Sequence, residues 1–214
     1  MRALMLALAC GGCIPAVPFV VGETAETLKP REVSAALYGG GGGVLTGTGS
    51  TRDCCGGVMA RVRVGVGHAQ EVGVEGGAYL SGGGAWGTAK LDWKLQVAEH
   101  YALVAGLGTT FIDGVVGLGG DAGVIASTSP WRDRVRLYAA LRATMMLQTN
   151  AKISDGGGVL AGGVAYEPTH RLRVALEIGA VGGGGHQVAT GLVDGNAGWF
   201  GGYGAALVSY AWRR

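Results

Sequence analysis

Polar and apolar positions alternate with period two over most of the chain, the period at which strand side chains pass from one face to the other. In residues 88–97, Ala89, Leu91, Trp93, Leu95 and Val97 share one parity, and Thr88, Lys90, Asp92, Lys94 and Gln96 take the other. Residues 134–145 repeat the pattern, with Val135, Leu137, Ala139, Leu141, Ala143 and Met145 against Arg134, Arg136, Tyr138, Arg142 and Thr144. In 171–180, Leu172, Val174, Leu176, Ile178 and Ala180 oppose Arg171, Arg173 and Glu177. Val58, Ala60, Val62, Val64 and Val66 oppose Arg61 and Arg63, while Val72, Val74, Ala78 and Leu80 oppose Glu71 and Glu75. Residues 101–111 are apolar or small on both parities, with Tyr101, Leu103, Leu107 and Phe111 on the bulkier one. In these six stretches no charge falls on the apolar parity.

Four fainter segments, diluted by glycine, keep the same period: Glu32–Gly40, Gly120–Thr128, Val159–Glu167 and Trp199–Trp212. The total is ten strands, most of about nine to twelve residues, the span a tilted strand needs to cross a bilayer. Ordinary globular strands are about half that length. The links alternate as well. Gly41–Gly57, Ser81–Gly87, Ile112–Gly119, Thr149–Gly158 and Gly182–Gly198 are long, whereas Gly67–Gln70, Ala98–His100, Ser129–Asp133 and Pro168–His170 are short. Such lengths predict an all-β, antiparallel, up-and-down transmembrane barrel with one loopy rim, one smooth rim and both termini on the smooth side.

Composition narrows the classes further. Glycine fills 44 of 214 positions, without the strict triplet of collagen and with only five prolines. Helix-interior glycine costs about 1 kcal/mol each, so long helices are excluded. Apolar residues make up 48% and the net charge is only +2, which excludes a disordered chain and leaves no basic footprint for nucleic acid. Mean hydropathy of +0.31 points toward lipid. The competing reading is a soluble barrel or sandwich with its apolar parity inward. Strand length argues against it, as does a polar parity made mostly of Gly, Ala, Ser and Thr, which suits a crowded interior better than a solvated face.

Residues 1–31 read as a leader and an extended linker. Met1-Arg2 precedes the short apolar run Ala3 to Ala9, as in a secretory signal peptide. The small residue before Cys10 resembles a bacterial lipoprotein signal, so lipidation at Cys10 stands beside ordinary cleavage before Thr27. A membrane helix over Ala3–Gly22 is disfavoured by Pro15 and Pro18, which with Pro30 suit a linker.

Residues 32–214 resemble the small outer-membrane β-barrels of the OmpA-like and OmpX-like kind. They do so in the alternating strands and links, and in the final strand, where Ala206, Val208, Tyr210 and Trp212 alternate before Arg213 and Arg214. That resemblance implies the outer membrane of a Gram-negative cell, a periplasmic N-terminus and insertion by the barrel assembly machinery. It also implies outer-membrane lipid as the surrounding partner and possible envelope proteins at the rims.

The chemistry-bearing constellation is the charge on the inward parity: Arg61, Arg63, Glu71, Glu75, Lys90, Asp92, Lys94, Arg134, Arg136, Arg142, Arg171, Arg173 and Glu177. A lumen this narrow is largely filled by side chains, so these charges are expected to pair as an interior plug. A narrow channel is the alternative, anion-preferring because nine of the thirteen are basic. His68, His100 and His170 fall in short turns and His186 in the last long link; they read as ordinary turn residues, with no metal site. Cys54-Cys55 sits in the first long link, where an oxidising compartment permits a vicinal disulfide or a bridge to another chain. Cys13 would be a further thiol.

No cofactor motif appears, since Gly39–Gly43 and Gly182–Gly185 lack the Lys-Ser/Thr of a phosphate loop. An enzyme is not expected. The links offer Asp53, Asp113, Asp155, Asp194 and His186, but no acid–x–acid or Asp–x–His pair and no G-x-S-x-G. The sequence therefore favours a structural or partner-docking barrel of the envelope.

Overall fold

Each stretch of alternating residues forms a hydrogen-bonded ladder with its neighbour in sequence. The computed structural model describes residues 22–46, 51–81, 84–112, 115–131, 134–148, 153–187 and 195–213. Its strands are β1 (Glu32–Thr46), β2 (Thr51–Gly67), β3 (Gln70–Ser81), β4 (Gly84–Ala98), β5 (Tyr101–Ile112), β6 (Val115–Trp131), β7 (Val135–Gln148), β8 (Ile153–Tyr166), β9 (Leu172–Gln187) and β10 (Gly195–Arg213). All pairings are antiparallel between successive strands. β1 also pairs with β10, from Glu32 opposite Arg213 to Thr46 opposite Trp199, which closes the barrel.

The expected long links are mostly strand. β1 runs on to Thr46, β2 begins at Thr51 and β9 continues to Gln187, so the ladder absorbs the glycine-rich stretches. The physical reason is that a ladder is made by backbone groups, whereas side-chain alternation is invisible where both parities are glycine. The five remaining connections at that rim, 47–50, 82–83, 113–114, 149–152 and 188–194, lie outside the described residues. Cys54 and Cys55 accordingly sit within β2, beside a register shift between Gly41 and Gly42 on β1, and not in a loop.

Parity separates two faces. Leu107, Leu141, Leu176, Ile178 and Phe200 are exposed on the outside. Tyr210 and Trp212 share that face near the short-turn rim, with ring centroids 6.3 Å apart. Inside, bulky side chains stand opposite glycines of the next strand. Tyr79 faces Gly57, Tyr138 faces Gly163, Tyr203 faces Gly179, Arg63 faces Gly73 and Arg142 faces Gly123. At Gly179 a Cβ would overlap the Tyr203 ring. The unusual glycine content is therefore partly a packing device, giving each large lumen side chain a flat strand to lie on.

Candidate functional site: the occupied lumen

The lumen is filled from both the wall and the N-terminal side. Tyr38, Met59, Tyr79, Tyr138, Ala165, Ala175 and Leu207 form one buried apolar cluster. Val104, Ile125, Ala140, Val159, Ala161 and Val181 form a second, and Tyr203 packs against both. Between and below them lie the charges.

Of residues 22–31, assigned from sequence to an extended linker, 22–28 run inside the barrel and 29–31 are exposed at its mouth. Gly22 N–H donates to Glu177 Oε2 at 2.6 Å, Ala25 N–H to Ser127 Oγ at 2.9 Å and Leu28 N–H to Glu71 Oε2 at 2.8 Å. Lys94 Nζ donates to the Glu26 carbonyl at 2.6 Å. The segment thus meets wall groups where a central strand would meet another strand, and these backbone groups find partners despite burial. It leaves the lumen through a tight turn. Arg31, at φ 67°, donates its N–H to Gly65 O at 2.9 Å, and Glu32 N–H reaches Lys29 O at 2.9 Å. Gly65 permits this exit, because a Cβ there would overlap the Lys29 carbonyl.

Glu23 is the anchor. Its carboxylate pairs with Arg61, with Arg63 at 2.8 Å and with Lys94 at 3.6 Å. Burial alone would raise its pKa. Arg61, Arg63, Lys94 and Arg142 outweigh that effect and hold the group well below the usual carboxylate range, so it is the anion. The same cations are shared with the wall: Arg61 with Glu75 at 2.5 Å, Arg63 with Glu71 at 2.5 Å and with Asp92, Lys94 with Glu71 at 3.2 Å. Arg61 also lies 5.0 Å from the Tyr38 ring centroid, a cation–π contact.

Further round the wall, Asp121 on β6 pairs with Lys90 at 3.0 Å and with Arg142. Glu177 accepts from Tyr138 OH at 2.9 Å and Tyr203 OH at 2.7 Å. At the short-turn rim, Glu26 pairs with Arg136, and Glu167 bridges Arg136 at 3.4 Å and Arg173 at 2.5 Å. A cavity of about 490 Å³ lies there, bordered by Glu26, Lys29, Glu32, Arg136, Arg171 and Arg173.

Of the inward charges read from sequence, Arg61, Arg63, Glu71, Glu75, Lys90, Asp92, Lys94, Arg142 and Glu177 are buried in the lumen. Arg136 and Arg173 are half-buried at the rim. Arg134 and Arg171 are exposed, which corrects their assignment to the lumen: each sits just before its strand begins, at the barrel mouth, and parity carries no information about height. The sequence reading missed Glu23, Glu26, Asp121 and Glu167. Its own imbalance of nine bases to four acids was the available signal, because a buried base requires a partner.

His68, His100 and His170 are exposed at the short-turn rim. No metal-binding group of three His, Cys, Asp or Glu occurs among the described residues. Asp53, Asp155 and His186 lie on β2, β8 and β9, and Asp113, Asp194, Cys10 and Cys13 fall outside the described residues.

No protein-family model matches the chain, and no curated protein sequence does. Among solved structures, the outer membrane protease OmpT from Escherichia coli aligns with a TM-score of 0.51 at 9% identity, covering 88% of this chain and 100% of that one. The translocator domain of autotransporter NalP from Neisseria meningitidis aligns at 0.47 and 11% identity over 86% and 89% of the two chains. Neisserial surface protein A aligns at 0.38 and 13% identity over 84% and 95%. At such identities the likeness to OmpT speaks for the fold alone: a closed, antiparallel β-barrel of the architecture found among small outer-membrane proteins.

Proposed function

We propose that this chain is an integral barrel of the bacterial outer membrane whose lumen is shut, and that it serves the envelope as a structural or partner-docking element. The observation that carries this reading is the lumen's occupancy. Residues 22–28 thread it, Glu23 ties that segment to three basic residues of the wall, and two apolar clusters pack around the charges. The outer face supports lipid contact, because Leu107, Leu141, Leu176, Ile178 and Phe200 would otherwise be presented to water. With the short turns in the periplasm, the rim carrying Lys29, Arg134, Arg171 and the mixed-charge cavity faces envelope proteins there.

The channel reading loses its main support. Its anion preference rested on an excess of lumen bases, and Glu23, Glu26, Asp121 and Glu167 offset that excess. Protease activity is that of the compared protein OmpT and forms no part of this proposal. Planar-bilayer recording of the purified full chain tests closure: absence of steady currents is expected, and sustained open-channel conductance would return the channel to first place. Co-purification in mild detergent tests docking, with a stoichiometric envelope partner expected and a bare monomer contradicting it.

A further inference from the structure

We propose that the lumen is a peptide-binding sleeve, filled here by the chain's own residues 22–28, and that an extended acidic segment of an envelope protein takes their place. The proposal rests on the closed-lumen reading and names the chemistry of the docking partner. The two fail on different measurements, current in one case and peptide binding in the other.

The wall is complete without the segment. Ten strands close on themselves through the pairing of β1 with β10, so residues 22–28 add no rung to the sheet. Wall side chains hold them instead. Glu177, Ser127 and Glu71 accept from backbone N–H groups of the segment, and Lys94 donates to one of its carbonyls. Gln96 accepts from both the N–H and the hydroxyl of Thr27, at 3.3 and 3.4 Å. Side chains that grip a backbone in this way select an extended chain. Sequence is read at two places. Glu23 meets Arg61, Arg63 and Lys94, and Glu26, three residues on, meets Arg136 near the rim. The fitting ligand is therefore an extended segment with two carboxylates three residues apart.

The wall charges also keep partners when the segment leaves. Arg61 retains Glu75, Arg63 retains Glu71 and Asp92, Lys94 retains Glu71, and Arg136 retains Glu167. Glu177 retains the hydroxyls of Tyr138 and Tyr203. Stranding a buried charge is what makes such a contact costly to break, and none of these groups is stranded. A way in exists as well. The cavity of about 490 Å³ at the short-turn rim is bordered both by the segment, at Glu23, Glu26 and Leu28, and by the wall, at Arg136 and Arg173. Exposed residues 29–31, with Arg31 at φ 67°, form the hinge between the segment and β1. Tethering gives the resident segment an effective concentration on the order of millimolar, so a micromolar rival enters only when the resident's contacts are weakened.

Fluorescence anisotropy of a peptide spanning residues 22–31, labelled at its C-terminal end, tests this against the full chain refolded in detergent at physiological salt. Glu23→Gln combined with Glu26→Gln weakens the resident segment and leaves every wall residue in place. This double variant is expected to bind the peptide at least about tenfold more tightly than the native chain does. It is also expected to bind a peptide carrying the same two substitutions at least about tenfold more weakly. Equal affinity of native chain and variant would overturn the displacement, and equal affinity for the two peptides would overturn the acidic recognition. Absence of peptide binding to the variant would overturn the sleeve itself. Should the double variant fail to fold, Glu23→Gln alone replaces it, with a smaller gain of the same sign expected and no gain contradicting the proposal.

Discussion

Leu141 and Arg142 are neighbours on one strand, yet Leu141 is 61% exposed and Arg142 only 3%. Between them lies the division that organises the barrel. The outer face is a set of apolar side chains with no required partner, so it tolerates changes of shape and excludes charge. The inner face accepts charge because each buried base meets an acid, as Arg142 meets Asp121 and Arg63 meets Glu71. It excludes volume, because bulky residues lie flat on glycines of the next strand, as Tyr203 does on Gly179. The two faces of a single sheet thus obey opposite rules, and substitutions can set one against the other.

The largest effect is expected from stranding a lumen charge. Arg142→Leu leaves buried Asp121 with Lys90 alone, and breaking such a pair costs about 3–5 kcal/mol. Urea unfolding in detergent should show a large loss, with partial recovery when Asp121→Asn is added. On the other face, Leu141→Arg should cost about 2–4 kcal/mol if that face lies at bilayer midplane depth. The measurement is the folded, heat-modifiable fraction after refolding into lipid vesicles.

Volume on the inner face comes next. Gly179→Val drives a side chain into the Tyr203 ring, and overpacking costs about 1–3 kcal/mol. The outer-face neighbour Leu176→Ile, 65% exposed, should stay within about 0.5 kcal/mol in the same assay. A reversal of these two would dissolve the distinction between the faces. Glu23→Gln removes the anchor charge while leaving the wall intact, and should free residues 22–31 to limited proteolysis more than it lowers barrel stability. Because the folded pKa of Glu23 is depressed, its contribution is present above the ordinary carboxylate range and is lost as pH falls through the folded value. Protease resistance of the segment should therefore hold at neutral pH and fail only in strong acid.

The two faces were also unequally legible. The outer one is written as period-two alternation, and Leu91, Val135, Leu172 and their neighbours give away strand, parity and number. Asp121 escaped because it lies in Gly119-Gly120-Asp121-Ala122-Gly123, where the absent side chains erase the alternation that would have placed it inward. The ends of β1, β8 and β9 were lost for the same reason. Glu23 and Glu26 escaped differently. Nothing periodic marks a chain that returns into its own lumen, since each of its contacts is to a residue far away in sequence, such as Gly22 to Glu177 or Ala25 to Ser127. Such pairings are decided by the closed shape of the wall.

The central claim is that the apolar parity faces lipid and the charged parity faces the lumen. Refolding from urea, with and without lipid vesicles, tests it most directly by circular dichroism and heat-modifiable migration. The account predicts a strand-rich, heat-modifiable species only when lipid is present, and aggregation in buffer alone. A soluble, strand-rich monomer formed in buffer would contradict it, because the apolar parity would then have to be the core.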